Sequence, residues 1–176
     1  MKIIIVYSSQ TGFTKRYANW LAEELGADVI TLAEAKKRDS RYFDEADGII
    51  YGGWAMGGKI VNCEWFTQRI PVWKGRKLAL FCVGASPNEN PDVEVSLHNA
   101  LTEKEHKYAK VFYCQGGLSY EKMKLPYKLA MKAFASMIRK KKDADEKEKA
   151  MGEMISHSYD ITDRKFIMPI VMYFRR

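Results

Sequence analysis

A short apolar run joined to a hydroxyl-rich turn constrains the fold of this chain more than any other feature. Residues 2–7 form a largely β-branched stretch, which is typical of a strand buried on both faces. The turn that follows, Ser8–Lys15, contains one glycine and leads into apolar residues at helical spacing. Free backbone N–H groups and the positive dipole end at a helix start bind anions, and Ser and Thr hydroxyls add donors. The sequence therefore predicts a strand–turn–helix unit with a phosphate site in the turn, with an ordinary helix N-cap as the alternative.

The turn differs from the two glycine-rich phosphate loops. A Walker A loop needs two glycines and a Gly-Lys pair, whereas Lys15 here follows a Thr, and a dinucleotide loop needs three spaced glycines. The pattern Ser9-x-Thr11-Gly12-x-Thr14, directly after the first strand, resembles the FMN-phosphate loop of the flavodoxin family. This resemblance implies that the FMN phosphate is held by Ser9, Gln10, Thr11, Gly12, Phe13 and Thr14.

The composition favours one folded domain over residues 1–176. Of the 176 residues, 47% are hydrophobic, which argues against global disorder. No signal peptide is predicted, and the late apolar run Phe166–Phe174 contains Pro169 and is too short to span a bilayer. The three cysteines are scattered and the three histidines lack ligand spacing, so we expect a reducing cytoplasm and no metal site.

Strand and helix patterns alternate along the chain. Helical segments are predicted near residues 62–69 and 92–103. The five predicted strands are Lys2–Tyr7, Asp28–Thr31, Gly48–Gly52, Leu78–Val83 and Lys110–Cys114. This alternation favours an α/β fold, a doubly wound parallel sheet with helices on both faces and the flavodoxin-like order 2-1-3-4-5. In that order a ligand binds beyond the carboxyl ends of the strands.

Two further turns at that sheet edge are suited to a flat ligand. After strand three, glycines permit close backbone approach and Trp54 can stack on a ring, with an ordinary surface or core aromatic as the alternative. After strand four, small residues leave backbone donors open to the polar edge of a ring. The expected contacts to the FMN ring are Trp54, Ala55, Met56, Gly57, Gly84, Ala85 and Ser86.

A basic insertion after strand five, at about residues 119–150, departs from ordinary flavodoxins. The chain carries a formal net charge of +7, and the segment Tyr127–Ile138 has an apolar stripe flanked by lysines and arginine. Such a helix could contact an anionic membrane surface, cover a substrate pocket, or pack on the sheet. The charged run 140–148 is expected to be a solvated, mobile stretch.

Together, Gly116–Tyr120 and the insertion are similar to the menaquinone-dependent protoporphyrinogen IX dehydrogenase group. The resemblance implies a substrate wall at this position. The candidate substrate residues are Gly117, Tyr120, Lys122, Lys124 and Lys128.

Three functions remain open on the sequence. The first is an FMN-dependent electron carrier that docks a redox partner protein. The second is a dehydrogenase, peripheral at the inner face of the membrane, that uses a quinone and a porphyrin-like donor. The third is a non-redox binding module of the same fold. A nucleic-acid partner is not expected, because only charge favours one and no recognition motif is present. The phosphatase-like pattern Cys63-x₅-Arg69 is interpreted as accidental.

Overall fold

A parallel sheet forms the centre of the molecule. The computed structural model describes all 176 residues. The strands are β1 (Ile3–Tyr7), β2 (Asp28–Thr31), β3 (Gly48–Met56), β4 (Lys59–Ile60), β5 (Lys77–Gly84) and β6 (Ala109–Gln115). The five parallel strands lie in the order β2-β1-β3-β5-β6, and β4 pairs antiparallel with the end of β3. Without the short β4, this is the predicted order 2-1-3-4-5, so the predicted fold class is confirmed. The third strand is longer than predicted because it continues past Gly52 to Met56.

The strands lie where apolar side chains can be buried on both sides of the sheet. All five residues of β1 are buried. Ile4 and Val6 belong to one core cluster, whereas Ile3, Ile5 and Tyr7 belong to the other. Because side chains alternate along a strand, the apolar run supplies both cores at once.

Helices cover both faces. The helices over the sheet are α1 (Phe13–Leu25), α2 (Leu32–Ala35), α3 (Arg41–Asp44), α4 (Glu64–Thr67), α5 (Pro91–His98) and α8 (Met168–Arg175). Helices α1 and α8 pack on the face of Ile5, and α2, α3 and α4 pack on the face of Ile4. The segments predicted near 62–69 and 92–103 correspond to α4 and α5, which are both shorter than predicted. No helix is long and apolar enough to cross a membrane.

The segment between β6 and α8 forms a separate layer. It contains β7 (Gly117–Leu118), α6 (Leu125–Lys140), α7 (Glu146–Met154) and β8 (Tyr159–Asp160), with β7 and β8 paired antiparallel. Helix α6 packs against α7 around a small cluster of Leu118, Ala135, Ile138 and Ile155. Packing of this helix on the sheet was one of the three expected arrangements, and the structure does not show it.

The charged run 140–148 is more ordered than predicted. Helix α7 begins inside it, at Glu146. The Asp145 side chain accepts a hydrogen bond from the Glu148 amide at 2.7 Å, and the Glu148 carboxylate accepts one from the Asp145 amide at 3.1 Å. This reciprocal cap stabilises a helix start despite the high local charge.

An aspartate caps the segment that leads into the last helix. The Asp163 side chain accepts a hydrogen bond from the Lys165 amide at 2.9 Å, and a short 3₁₀ segment leads into α8. Pro169 lies in the first turn of α8, where its missing N–H group costs no helical hydrogen bond.

Candidate functional site

The turn between β1 and α1 presents a row of free backbone donors. Gly12 has φ 102° and is the N-cap of α1, and its amide donates to Ser9 Oγ at 3.2 Å. The Thr14 side chain is almost fully buried. The amides that donate to no acceptor in the protein are those of Ser9, Gln10, Thr11, Phe13, Thr14 and Lys15. This arrangement is that of an anion site at a helix start.

The electrostatics beside this turn also favour an anion. An open depression of about 560 Å³ lies next to it and is lined in part by Lys15 and Lys36. No carboxylate lines the depression. Two cations and no anion leave a bound phosphate without a repelling neighbour.

A polar network that sequence reasoning missed lies beneath the turn. Tyr51 Oη donates to the Val61 carbonyl at 2.8 Å and lies 3.0 Å from Ser8 Oγ. Asn62 Nδ2 approaches Ser8 Oγ at 3.4 Å. Asn62 is the one non-glycine residue with positive φ, 60°, a conformation that Asn adopts more readily than most residues. The only indication of this network in the sequence was an Asn two residues after the segment that forms the β3–β4 hairpin.

Two glycines inside β3 and two in the turn after it have structural roles. A Cβ on Gly52 would overlap the Phe81 ring, and one on Gly53 would lie 2.7 Å from Ile60 Cγ2. Gly57 and Gly58 have φ 57° and 74° and form the two-residue turn of the β3–β4 hairpin. Gly52 and Gly53 therefore serve core packing, and Gly57 and Gly58 form the turn and line an adjoining depression.

Two tyrosine hydroxyls hold the turn after β5 through hydrogen bonds to its carbonyl groups. Tyr159 Oη donates to the Ala85 carbonyl at 2.8 Å, and Tyr113 Oη donates to the Ser86 carbonyl at 2.8 Å. Burial raises the pKa of Tyr159 to about 12 and raises the pKa of Tyr113 as well, so both hydroxyls are donors at neutral pH. The Ala85 and Ser86 amides have no acceptor in the protein and remain available to a ligand.

A cleft joins the three turns to the insertion. On the sheet side it is lined by Gln10, Thr11, Phe13, Thr14, Trp54, Ala55, Met56, Val83, Gly84 and Ala85. The insertion contributes Gly117, Leu118, Ser119, Met123, Tyr127 and Met131. The Lys124 amide donates to Gln10 Oε1 at 3.2 Å, which ties the start of α6 to the turn after β1. Gly57 and Ser86 line an adjoining depression, and Ser9 and Gly12 line the open one beside the turn.

The five candidate substrate residues are not brought together. Gly117 lines the cleft, and Lys122 lies in a neighbouring depression with Arg16. The Lys124 and Lys128 side chains do not line the cleft. Tyr120 is buried in the insertion, where its hydroxyl donates to the Ile155 carbonyl at 2.6 Å. Its position indicates a packing role rather than contact with a substrate.

The cysteines lie in surroundings that disfavour the thiolate. Burial raises the pKa of the Cys63 thiol and raises the pKa of Cys82 to about 12. Next to Cys63, Trp65 and Phe66 are buried in the core, so no phosphate loop forms there. A nucleophilic cysteine needs the opposite shift.

Several solved flavodoxin structures are similar to this chain. The chain is similar to the flavodoxin, WrbA-like protein from Agrobacterium tumefaciens, at 19% identity and TM-score 0.49, over 72% of this chain and 87% of that one. It is also similar to a flavodoxin from the domain Archaea, at 18% identity and TM-score 0.48, over 89% and 100% of the two chains. Flavodoxin 2 from Bacillus cereus is similar at 18% identity and TM-score 0.45, over 99% and 98%.

These structural likenesses are too distant to add to the family assignment, and no curated protein matches the chain. The assignment rests on the sequence model of the flavodoxin domain, which matches residues 4–146. Because that match covers most of the chain, the protein belongs to the flavodoxin domain family.

Proposed function

We propose that this protein is an FMN-binding redox protein. The observation that carries the proposal is the row of six free amides between β1 and α1, beside two lysines and no carboxylate. The donor set suits a phosphate dianion, because backbone N–H groups and a cation satisfy its oxygens without a competing negative charge. The Thr14 hydroxyl, in the first turn of α1, would add one more donor.

The chain's own residues would hold and orient the cofactor. Residues 9–14 would bind its phosphate, and the free amides of Ala85 and Ser86 would bind the polar edge of its ring. Trp54 lines both the cleft and the depression beside the turn, where it can cover the ring. When bound, FMN supplies reversible one- and two-electron chemistry.

A titration with FMN and with riboflavin tests this proposal. Both flavins carry the same ring, and only FMN carries the phosphate. We expect FMN to bind more than about 100-fold more tightly, because riboflavin forgoes several charge-assisted hydrogen bonds. Quenching of flavin fluorescence measures both affinities.

The variant Thr14→Val separates the phosphate contact from the ring contacts. It keeps the shape of a buried side chain and removes one donor. We expect the Kd for FMN to rise by about tenfold or more, since a hydrogen bond to a charged group is worth about 1.5–3 kcal/mol. The Kd for riboflavin should not change. Equal affinities for the two flavins would show that the turn is not the anchor, and no binding of either would leave the non-redox module.

One observation favours a second candidate, a flavin-dependent dehydrogenase. Three side chains from the insertion, those of Met123, Tyr127 and Met131, form a largely apolar wall of the cleft that Trp54 also lines. An electron carrier needs no such wall, whereas an enzyme needs one to hold an apolar substrate. The resemblance to the protoporphyrinogen IX dehydrogenase group supports a porphyrinogen as donor and a quinone as acceptor, with two electrons and two protons passing from donor to each quinone.

Porphyrin fluorescence tests the second candidate. FMN-loaded protein is mixed with protoporphyrinogen and a menaquinone analogue under anaerobic conditions, and porphyrin formation is followed. Met131→Ala should lower kcat/KM and leave the FMN affinity unchanged, whereas the exposed Met172→Ala on α8 should change neither. No quinone-dependent turnover, with FMN tightly bound, would leave the electron carrier.

A further inference from the structure

Helix α6 exposes a broad apolar surface. Only Ala135 and Ile138 of its sixteen residues are buried. Four large apolar side chains, which we name the outer face of α6, are exposed to solvent: Leu125 by 66%, Leu129 by 59%, Phe134 by 43% and Met137 by 63%. At about 100° per residue they cover an arc of about 180° on the side away from α7. Leaving so much apolar surface in water is costly, so such a surface marks an interaction site.

Unpaired cations accompany the outer face. Within the helix and the turn before it, Lys122, Lys124, Lys128, Lys132 and Lys140 form no ion pair. Nearby, Arg139 pairs with Glu153 and Lys141 pairs with Glu148, so these two cations are already neutralised. Glu121 is the single acid between residues 117 and 142. On the helix, Lys132 and Lys128 follow Leu125 around the circumference, so they line one edge of the outer face.

The geometry points to a lipid bilayer with anionic headgroups as the partner of this surface. We propose that α6 lies in the plane of such a bilayer, with the outer face in the acyl boundary and the lysines at the headgroups. A helix of this pattern satisfies both the apolar and the cationic sides at once on an anionic membrane. A second copy of the chain fits less well, because a symmetric pairing through this face would bring the unpaired lysines of two molecules together.

Docking in this way would place the cleft beside the membrane. Tyr127 and Met131 line the cleft from the other side of the same helix, so the cleft would lie about one helix width from the lipid boundary. This consequence rests on the proposed function, whereas the docking itself does not.

Vesicle flotation of the full-length protein, without added flavin, tests the docking. Vesicles of phosphatidylcholine alone are compared with vesicles of phosphatidylcholine and phosphatidylglycerol at several salt concentrations. We expect partitioning at least about tenfold stronger with the anionic lipid, since each lysine near the surface contributes about fivefold. Because flavin is absent, a failure here is distinct from a failure of the FMN titrations.

Two double variants and one control separate the two contributions. Leu125→Ser with Leu129→Ser should lower partitioning at least tenfold at every salt concentration, because it removes apolar burial. Lys128→Gln with Lys132→Gln should lower it at low salt, with the difference vanishing as salt screens the charges. Val72→Ser is the matched control, because Val72 is 74% exposed. It precedes the amino end of β5, whereas the insertion lies at the carboxyl ends of the strands. This control should have no effect, and circular dichroism confirms that each variant is folded.

Three results would overturn the proposal. One is equal partitioning into neutral and anionic vesicles, and another is partitioning that the leucine variant does not change. The third is a dimer in light scattering that the leucine variant dissociates, which would assign the outer face to a second copy of the chain.

Discussion

At the residue scale, two glycines with positive φ are expected to respond differently to the same substitution. Gly12 and Gly26 cap the two ends of α1 with φ 102° and 61°, and a Cβ would meet open space at both. The strain on a side chain there comes from the backbone alone. Only Gly12 lies among the free amides of the turn.

We therefore expect Gly12→Ala and Gly26→Ala to destabilise the protein alike and to differ in FMN binding. Each should lower the free energy of unfolding by about 1–2 kcal/mol, the cost of a left-handed non-glycine residue. Urea denaturation measures this loss. Only Gly12→Ala should weaken FMN binding, because it alone reshapes the turn. A loss of FMN affinity in Gly26→Ala of the same size would mean that stability, and not turn geometry, sets the affinity.

The same scale shows why part of the site could be predicted. The hydroxyl turn is a local pattern, since Ser9, Thr11 and Thr14 occupy one connection and its neighbours set its conformation. The network of Tyr51, Asn62 and Ser8 joins residues that are 43 and 54 positions apart. No local pattern reports such a contact, because it depends on strand register.

At the element scale, the α6–α7 pair holds the insertion over the cleft. Gly152 of α7 lies at the crossing, where a Cβ would come 2.9 Å from Ile138 Cγ2 and 3.1 Å from Arg139 Cγ. A larger residue must separate the two helices, at about 1–3 kcal/mol for overpacking. The insertion should loosen first, because its apolar cluster is small and separate from the two main cores.

We expect Gly152→Val to speed limited proteolysis at residues 141–142, between the two helices, while the main unfolding transition changes little. Ala150→Val in the same helix is the control, since it introduces the same side chain at a position that is exposed to solvent. Cleavage rates that are equal in the two variants would show that the crossing at Gly152 does not hold the pair together.

Some helices and strands could be predicted from local sequence patterns, and others depend on tertiary contacts. The five parallel strands and α1 were predicted because long apolar runs and helical spacing carry their own signal. The short helices α2 and α3 and the short strands β4, β7 and β8 were missed, since elements of four residues or fewer depend on their tertiary surroundings. Helix α6 was predicted as a helix. What it packs against could not be predicted, because its apolar stripe is equally suited to a sheet, a second helix or a membrane.

At the scale of the whole molecule, tyrosine hydroxyls join distant segments around the site. Tyr17 donates to the Gln115 carbonyl, Tyr51 to Val61, and Tyr113 and Tyr159 to the turn after β5. Each hydroxyl must be protonated to donate. Burial raises the pKa of all four, to about 12 for Tyr159.

These hydroxyls predict a loss of stability at alkaline pH. An unfolded tyrosine ionises near pH 10, so below that pH both states hold the proton and the full stability is present. Above it, the unfolded chain releases protons that the folded protein keeps, and the free energy of unfolding falls as pH rises towards 12. Urea denaturation between pH 7 and pH 11.5, with tyrosinate absorbance recorded in parallel, measures the fall. Tyr159→Phe should make it less steep by the contribution of one proton. A free energy of unfolding that stays constant through this range would show that the hydroxyls ionise equally in both states, and that they do not hold the turns around the site.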